Sequence, residues 1–112
     1  MNQEKAATET LTSTNDQVRQ TLMRDRLYVT SGVHQLGDAM MARIFAAIET
    51  YEDFTPANDP HGEHDFGVIE IDQERIFWKL DYFDNAREYH SPDVLNRSVT
   101  KRVLTVMLAD EY

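Results

Sequence analysis

From Ile76 to Phe83 the side chains alternate, with Ile76, Trp78, Leu80 and Tyr82 on one parity and Phe77, Lys79, Asp81 and Phe83 on the other. A period of two belongs to an extended strand with one apolar face, and a helix would scatter the same residues around its axis. Upstream, Gly67, Ile69 and Ile71 also share a parity. Two such runs with polar residues between them predict an antiparallel β-hairpin over about 65–72 and 75–83. A loop centred on Gln73-Glu74 sets Ile71 opposite Ile76, Ile69 opposite Trp78, Gly67 opposite Leu80 and Asp65 opposite Tyr82. That register keeps the apolar sets together, and a slip by one residue would separate them. Gly67 inside a strand predicts a bulge or a close approach of another group to the backbone.

The remaining segments predict helices. Leu36, Met40, Met41, Ile44, Phe45, Ile48 and Tyr51 recur at spacings of three and four, which predicts a helix over about 36–51. Thr14-Asn15-Asp16 supplies capping chemistry for a helix over about 15–26, with Val18, Leu22 and Met23 inward and Arg19, Arg24 and Arg26 outward. Ser98 heads a third over about 98–110, lined by Val99, Val103, Val106 and Met107. Leu27–Thr30 is β-prone and allows a third short strand, closed by the Ser31-Gly32 turn signal. Residues 1–13 are polar and Thr-rich and read as a disordered lead-in, leaving 14–112 as one α+β domain. A chain of 112 residues supports one modest core.

Charge is segregated along the chain. Residues 49–93 carry 13 acids against 3 bases, whereas the flanks carry 7 acids and 8 bases, so the net charge of −9 belongs to the middle. An acidic face repels a phosphate backbone and disfavours direct nucleic-acid binding. The lack of cysteine excludes disulfides, thiolate metal sites and cysteine nucleophiles. No apolar run approaches the roughly 20 residues that span a bilayer, so no membrane association is expected and a cytoplasmic location is the default.

Six segments stand out as a set: Asn15-Asp16-Gln17-Val18-Arg19, Thr30-Ser31-Gly32-Val33, Asp59-Pro60, Glu63-His64-Asp65-Phe66-Gly67, Trp78-Lys79-Leu80-Asp81-Tyr82-Phe83-Asp84 and the closing Leu104–Tyr112. Together they resemble a family of short bacterial proteins classed only as a domain of unknown function. The resemblance spans about residues 15–112 and implies a bacterial, cytoplasmic protein. It carries over no catalytic residue, cofactor or substrate.

The residues with most chemistry lie at the start of the first hairpin strand. His61 and His64 with Glu63 or Asp65 are ligand types for a divalent metal, with Asp81 or Asp84 approaching from the neighbouring strand. As a catalytic group His64 would be the base, with a carboxylate such as Asp65 orienting its second nitrogen and Asp81 nearby. No nucleophile stands out, and the polar residues also suit a structural role, for example Asp65 meeting the Tyr82 hydroxyl. Apart from that candidate divalent metal, no cofactor is expected.

Three readings follow. The leading one is a non-enzymatic interaction or accessory protein with a protein partner. Its contact surface would be Glu70, Asp72, Glu74, Phe77, Asp81 and Phe83, in its extreme form mimicking nucleic-acid charge. The second is a small metal-assisted or His/Asp-dependent enzyme using His64, Asp65 and Asp81. The third is a nucleic-acid binder through Arg19, Arg24, Arg26, Arg97, Lys101 and Arg102. Oligomeric state, including a homo-oligomer, is left open by the sequence.

Overall fold

The structure, a computed structural model, describes residues 3–21 and 27–112. In chain order it contains α1 (Gln3–Thr21), β1 (Leu27–Val29), α2 (Ser31–His34), α3 (Asp38–Glu49), β2 (Phe66–Ile71), β3 (Glu74–Phe83) and β4 (Lys101–Leu108). The strands form one sheet in the order β1-β4-β3-β2, antiparallel except for the parallel β1–β4 pair. The α+β class, the hairpin, the short strand near 27–30 and the central helix are as the sequence predicts.

The hairpin register differs from expectation by two residues. Ile69 pairs with Ile76, Gly67 with Trp78 and Ile71 with Glu74, so Ile69 does not face Trp78. The connection is a two-residue turn at Asp72-Gln73, where both φ angles are positive (50° and 69°). That is the type I′ geometry whose twist matches the flanking strands. A shift of two keeps every side chain on its expected face, so the hydrophobic pattern alone does not separate the two registers. The placement of Gly67 opposite Trp78 does: a Cβ at Gly67 would collide with Trp78 Nε1 and Cε2 and with the Tyr51 ring.

The helix expected over 98–110 is instead strand β4. Its residues alternate in and out, Arg102, Leu104 and Val106 being buried while Val103 and Thr105 are half-buried. Val and Thr are stiff at χ1 and pack well on a pleated surface, and two neighbouring strands supply the ladder, with Leu80 opposite Leu104 and Val29 beside Val106. Ser98 belongs to a short 3-10 turn at Arg97–Val99, where Asn96 accepts its N–H (3.0 Å).

The first helix also starts earlier than expected, at Gln3, so the lead-in over 1–13 is helical from that residue. Leu11, Asn15, Val18 and Arg19 are buried and spaced as one helical face, which gives this stretch a reason to pack. Arg19 therefore points inward, contrary to its expected outward position. Leu22, Met23, Arg24 and Arg26, expected to continue this helix, lie outside the described residues.

Val18 from α1, Val33 from α2 and Ile44 and Ile48 from α3 share a core with Ile69, Ile76, Trp78, Leu80, Leu104 and Val106. All of those strand residues lie on one face of the sheet, which the three helices cover, and among the described residues no α-helix covers the opposite one. At the outer edge of the sheet the Val68 N–H donates to the Tyr51 hydroxyl (3.0 Å). At the far end of β4, Glu111 accepts from Thr30 Oγ1 (2.7 Å) and Leu108 N (2.8 Å), tying the chain to the start of α2. These contacts hold the Glu111 carboxyl below the usual range.

Gly67→Ala is expected to destabilise the fold by about 1–3 kcal/mol through overpacking against Trp78 and Tyr51. Urea unfolding followed by Trp78 fluorescence measures this, and an unchanged midpoint would contradict the register described here.

Candidate functional site

The loop preceding β2 is organised by Asp59, which is only 8% exposed. One carboxylate oxygen accepts the N–H groups of Glu63 (3.0 Å) and His64 (3.3 Å). Gly62 and His64 both adopt positive φ, 67° and 57°, which folds the chain back toward α1. Glycine takes that conformation without strain, whereas His64 is held there by the Asp59 contacts.

The His64 ring then stacks on Phe54 at 3.7 Å, with planes 2° apart. Its Nδ1 lies 2.9 Å from Asp16 Oδ1 and its Nε2 lies 3.7 Å from Asp59 Oδ2. Asp16 also pairs with Arg19 at 2.8 Å. The Arg19 guanidinium donates to the carbonyls of Ile48 (3.1 Å) and Tyr51 (3.2 Å), at and just past the C-terminal turn of α3. A cation there complements the negative end of the helix dipole. Its plane also lies over Phe54 and Trp78, at 5.2 and 5.6 Å from the ring centres.

A second polar chain adjoins the first. The Tyr82 hydroxyl donates to Asp65 (3.2 Å) and accepts from Asn15 Nδ2 (2.8 Å), and Asn15 also donates to the Glu63 carbonyl (3.0 Å). Asn15 Oδ1 accepts from Arg102 Nε (3.0 Å), while Arg102 reaches the Val94 carbonyl (2.6 Å) and lies over the Tyr82 ring. Burial, and then the Asp65 charge, push the Tyr82 phenol well above its ordinary range. Burial also raises the Glu63 carboxyl, with the charge and hydrogen bond of Asp65 adding to it.

The structure thus brings His64 together with Asp16 and Asp59, and Asp65 with Glu63 and Tyr82. It does not bring Asp81 or Asp84 to them. Asp81 pairs with Lys79 (3.2 Å) on the open face of the sheet, and Asp84 accepts the Glu88 N–H (3.0 Å) within the loop after β3. His61 is exposed. Among the described residues no group of three or more His, Asp or Glu side chains is placed to hold a metal ion. Both His64 nitrogens face carboxylates, of which Asp16 also pairs with Arg19 and Asp59 also holds the loop backbone. Asn15 and Arg102 carry this polar joint, and the sequence signal for Asn15 is a polar residue on the face shared by Leu11 and Val18.

On the opposite side of the sheet lie Phe66, Val68 and Glu70 from β2, Phe77, Lys79, Asp81 and Phe83 from β3, and Val103 and Thr105 from β4. None of these is buried, although Met107 of β4, opposite Phe77 on the same face, is only 5% exposed, and Tyr28 on β1 is 69% exposed. Phe66 and Phe77 meet edge to face at 5.2 Å, and the exposed Tyr112 packs on both rings. The charges here are matched in place, Glu70 with Arg75 (3.4 Å) and Lys79 with Asp81 (3.2 Å). Of the expected contact residues, Glu70, Phe77, Asp81 and Phe83 share this face, whereas Asp72 sits at the turn, paired with Arg43 on α3 (2.5 Å). Glu74 faces the helical side at the start of β3.

The described residues contain no helix long and apolar enough to cross a membrane. A family described as Protein of unknown function (DUF3768) matches residues 29–111. Comparison with the curated proteins and with the solved structures gives no match.

Two measurements check the polar joint. Asn15→Ala is expected to cost about 2–3 kcal/mol in chemical unfolding, because Arg102 Nε and the Tyr82 hydroxyl lose a buried partner. Glu63 holds its proton more tightly when folded than unfolded, so its contribution to stability is full below about pH 4 and is lost as pH rises through the raised value. Glu63→Gln should therefore stabilise the protein at pH 7 and leave it unchanged in acid, and urea midpoints across that range report the difference.

Proposed function

The chain belongs to the DUF3768 family of proteins of unknown function, and from that premise we propose that it is a non-enzymatic interaction module that binds a protein partner on the open face of its sheet. The observation that carries this reading is the one-sided helical cover. Among the described residues no α-helix lies over the face that carries Phe66, Val68, Phe77, Phe83 and Val103, and only Tyr112 packs on its Phe66–Phe77 end. Aromatic residues interleaved with charges are the composition of a protein contact surface, where rings fill pockets and charges fix register.

The pairing of Glu70 with Arg75 and of Lys79 with Asp81 leaves the middle of this face close to neutral. Contact there is led by apolar burial, with Glu70 at the outer margin of the face. That balance favours a protein partner over mimicry of a phosphate backbone, which needs an extended row of uncompensated carboxylates. The engagement of Arg19 and Arg102 in buried contacts removes them from any basic nucleic-acid surface.

A photo-crosslinking residue placed at Phe77 or Phe83, in cells that make the protein, is expected to give a discrete adduct. The same residue at Ala42, exposed on α3, should give none. Phe77→Ser with Phe83→Ser should abolish co-purification of the adducted partner while the far-ultraviolet dichroism stays unchanged. Equal adducts at Ala42 would refute the assignment of this face.

A further inference from the structure

Resting on that reading of the open face, we propose that a groove at one end of it is the anchor site for a partner segment in which an aromatic side chain is flanked by carboxylates. The groove encloses about 390 Å³ and is lined by Leu27, Tyr28, Asp81, Phe83, Arg87, Val103 and Thr105. Register explains how it forms. Thr105 lies beside Tyr28, Val103 opposite Asp81, and Lys101 opposite Phe83. Val103 and Thr105 make the floor, Tyr28 and Phe83 stand on either side, and Arg87 closes one end from the loop after β3. This volume lies within the roughly 300–1,000 Å³ of pockets that take compact ligands, and two aromatic walls suit a flat apolar group.

Charge selects the flanking chemistry. Among the described residues the surface cations Arg43, Arg75 and Lys79 each pair with a carboxylate. At this end of the sheet, however, neither the Arg87 guanidinium nor the Lys101 ammonium has an ion pair or side-chain hydrogen bond among the described residues. The one carboxylate in the groove, Asp81, is taken by Lys79 (3.2 Å). Arg87 is carried on a built turn: its N–H donates to the Asp84 carbonyl (3.0 Å), and the Asp84 side chain accepts the Glu88 N–H (3.0 Å). A groove whose lining includes the unpaired Arg87, with Lys101 beside Phe83 on the same face, calls for a ligand that is apolar at its centre and acidic beside it.

Stacking walls and bases also suit single-stranded nucleic acid. A strand carries a phosphate at every nucleotide, however, and would have to pass Asp84 and Glu88, the acids that flank Arg87 in its turn. A peptide needs only one or two carboxylates next to its anchor.

The full-length protein, observed by nuclear magnetic resonance, is titrated with four probes: the acetylated peptides Glu-Glu-Phe-Glu-Glu, Glu-Glu-Ala-Glu-Glu and Lys-Lys-Phe-Lys-Lys, and a six-nucleotide oligothymidylate. The expected result is saturable shifts at Leu27, Phe83, Val103 and Thr105 with the first peptide. Binding should weaken roughly five- to tenfold when its Phe becomes Ala, and by a similar factor in Arg87→Gln, whose unperturbed remaining spectrum shows that the fold is kept. Arg87→Glu should shift preference toward the lysine peptide. Equal binding of both charged peptides, tighter binding of the oligonucleotide, or no groove response at millimolar peptide would each overturn the proposal. A cellular adduct at Phe77 or Phe83 without any groove response overturns the anchor chemistry alone, whereas loss of both overturns the reading of the face as well.

Discussion

Two buried guanidinium groups hold the layers of this protein together. Arg19 leaves α1 to take the last carbonyls of α3 and to lie over Phe54 and Trp78, while Arg102 leaves β4 to meet Asn15 on α1 and to lie over Tyr82. A buried cation is tolerated only when its donors are met, and these are met by carbonyls, an amide and a carboxylate drawn from different elements. The geometry of α1 relative to the sheet is therefore fixed by polar contacts as much as by Val18 and Leu11. Removing either arginine would strand several acceptors at once.

The same web takes in the loop that carries His61 and His64. Asp16 faces Arg19 on one side and His64 on the other, and Asp59 holds the backbone on which His64 sits. Each carboxylate that would orient a catalytic imidazole already serves a structural bond. The concentration of polar residues at the start of β2 reflects a junction of α1, the α3–β2 loop and β3, made where the apolar core runs out. Across the sheet lies the face that, among the described residues, no α-helix covers.

The sequence made the strands of the hairpin legible because period-two alternation is unambiguous over eight residues. Its register was not, since a two-residue shift leaves every facial assignment intact and only the Gly67–Trp78 fit and the positive φ pair at Asp72-Gln73 decide it. The last strand was hidden for a related reason: Val99, Val103, Val106 and Met107 satisfy helical spacing, and the partners that make them a strand lie far away in the chain. Of the candidate contact residues, Phe77, Asp81, Phe83 and Glu70 could be grouped from parity alone. The inward turn of Arg19 could not, because a charged residue on a short helix ordinarily faces water and its acceptors appear only once α3 has ended beside it.

The Tyr51 hydroxyl bears on how this protein can associate. In the hairpin the Leu80 N–H meets the Asp65 carbonyl, so by alternation Phe66, Val68 and Glu70 turn their backbone groups away from β3, toward open solvent. An outer strand with unmet amides invites another chain to extend the sheet, the route by which folded domains polymerise. Tyr51 occupies the central amide of that row, at Val68, and so interrupts the ladder a newcomer would need. Growth of the sheet sideways is thereby discouraged at this edge, by a single phenol that also belongs to the core.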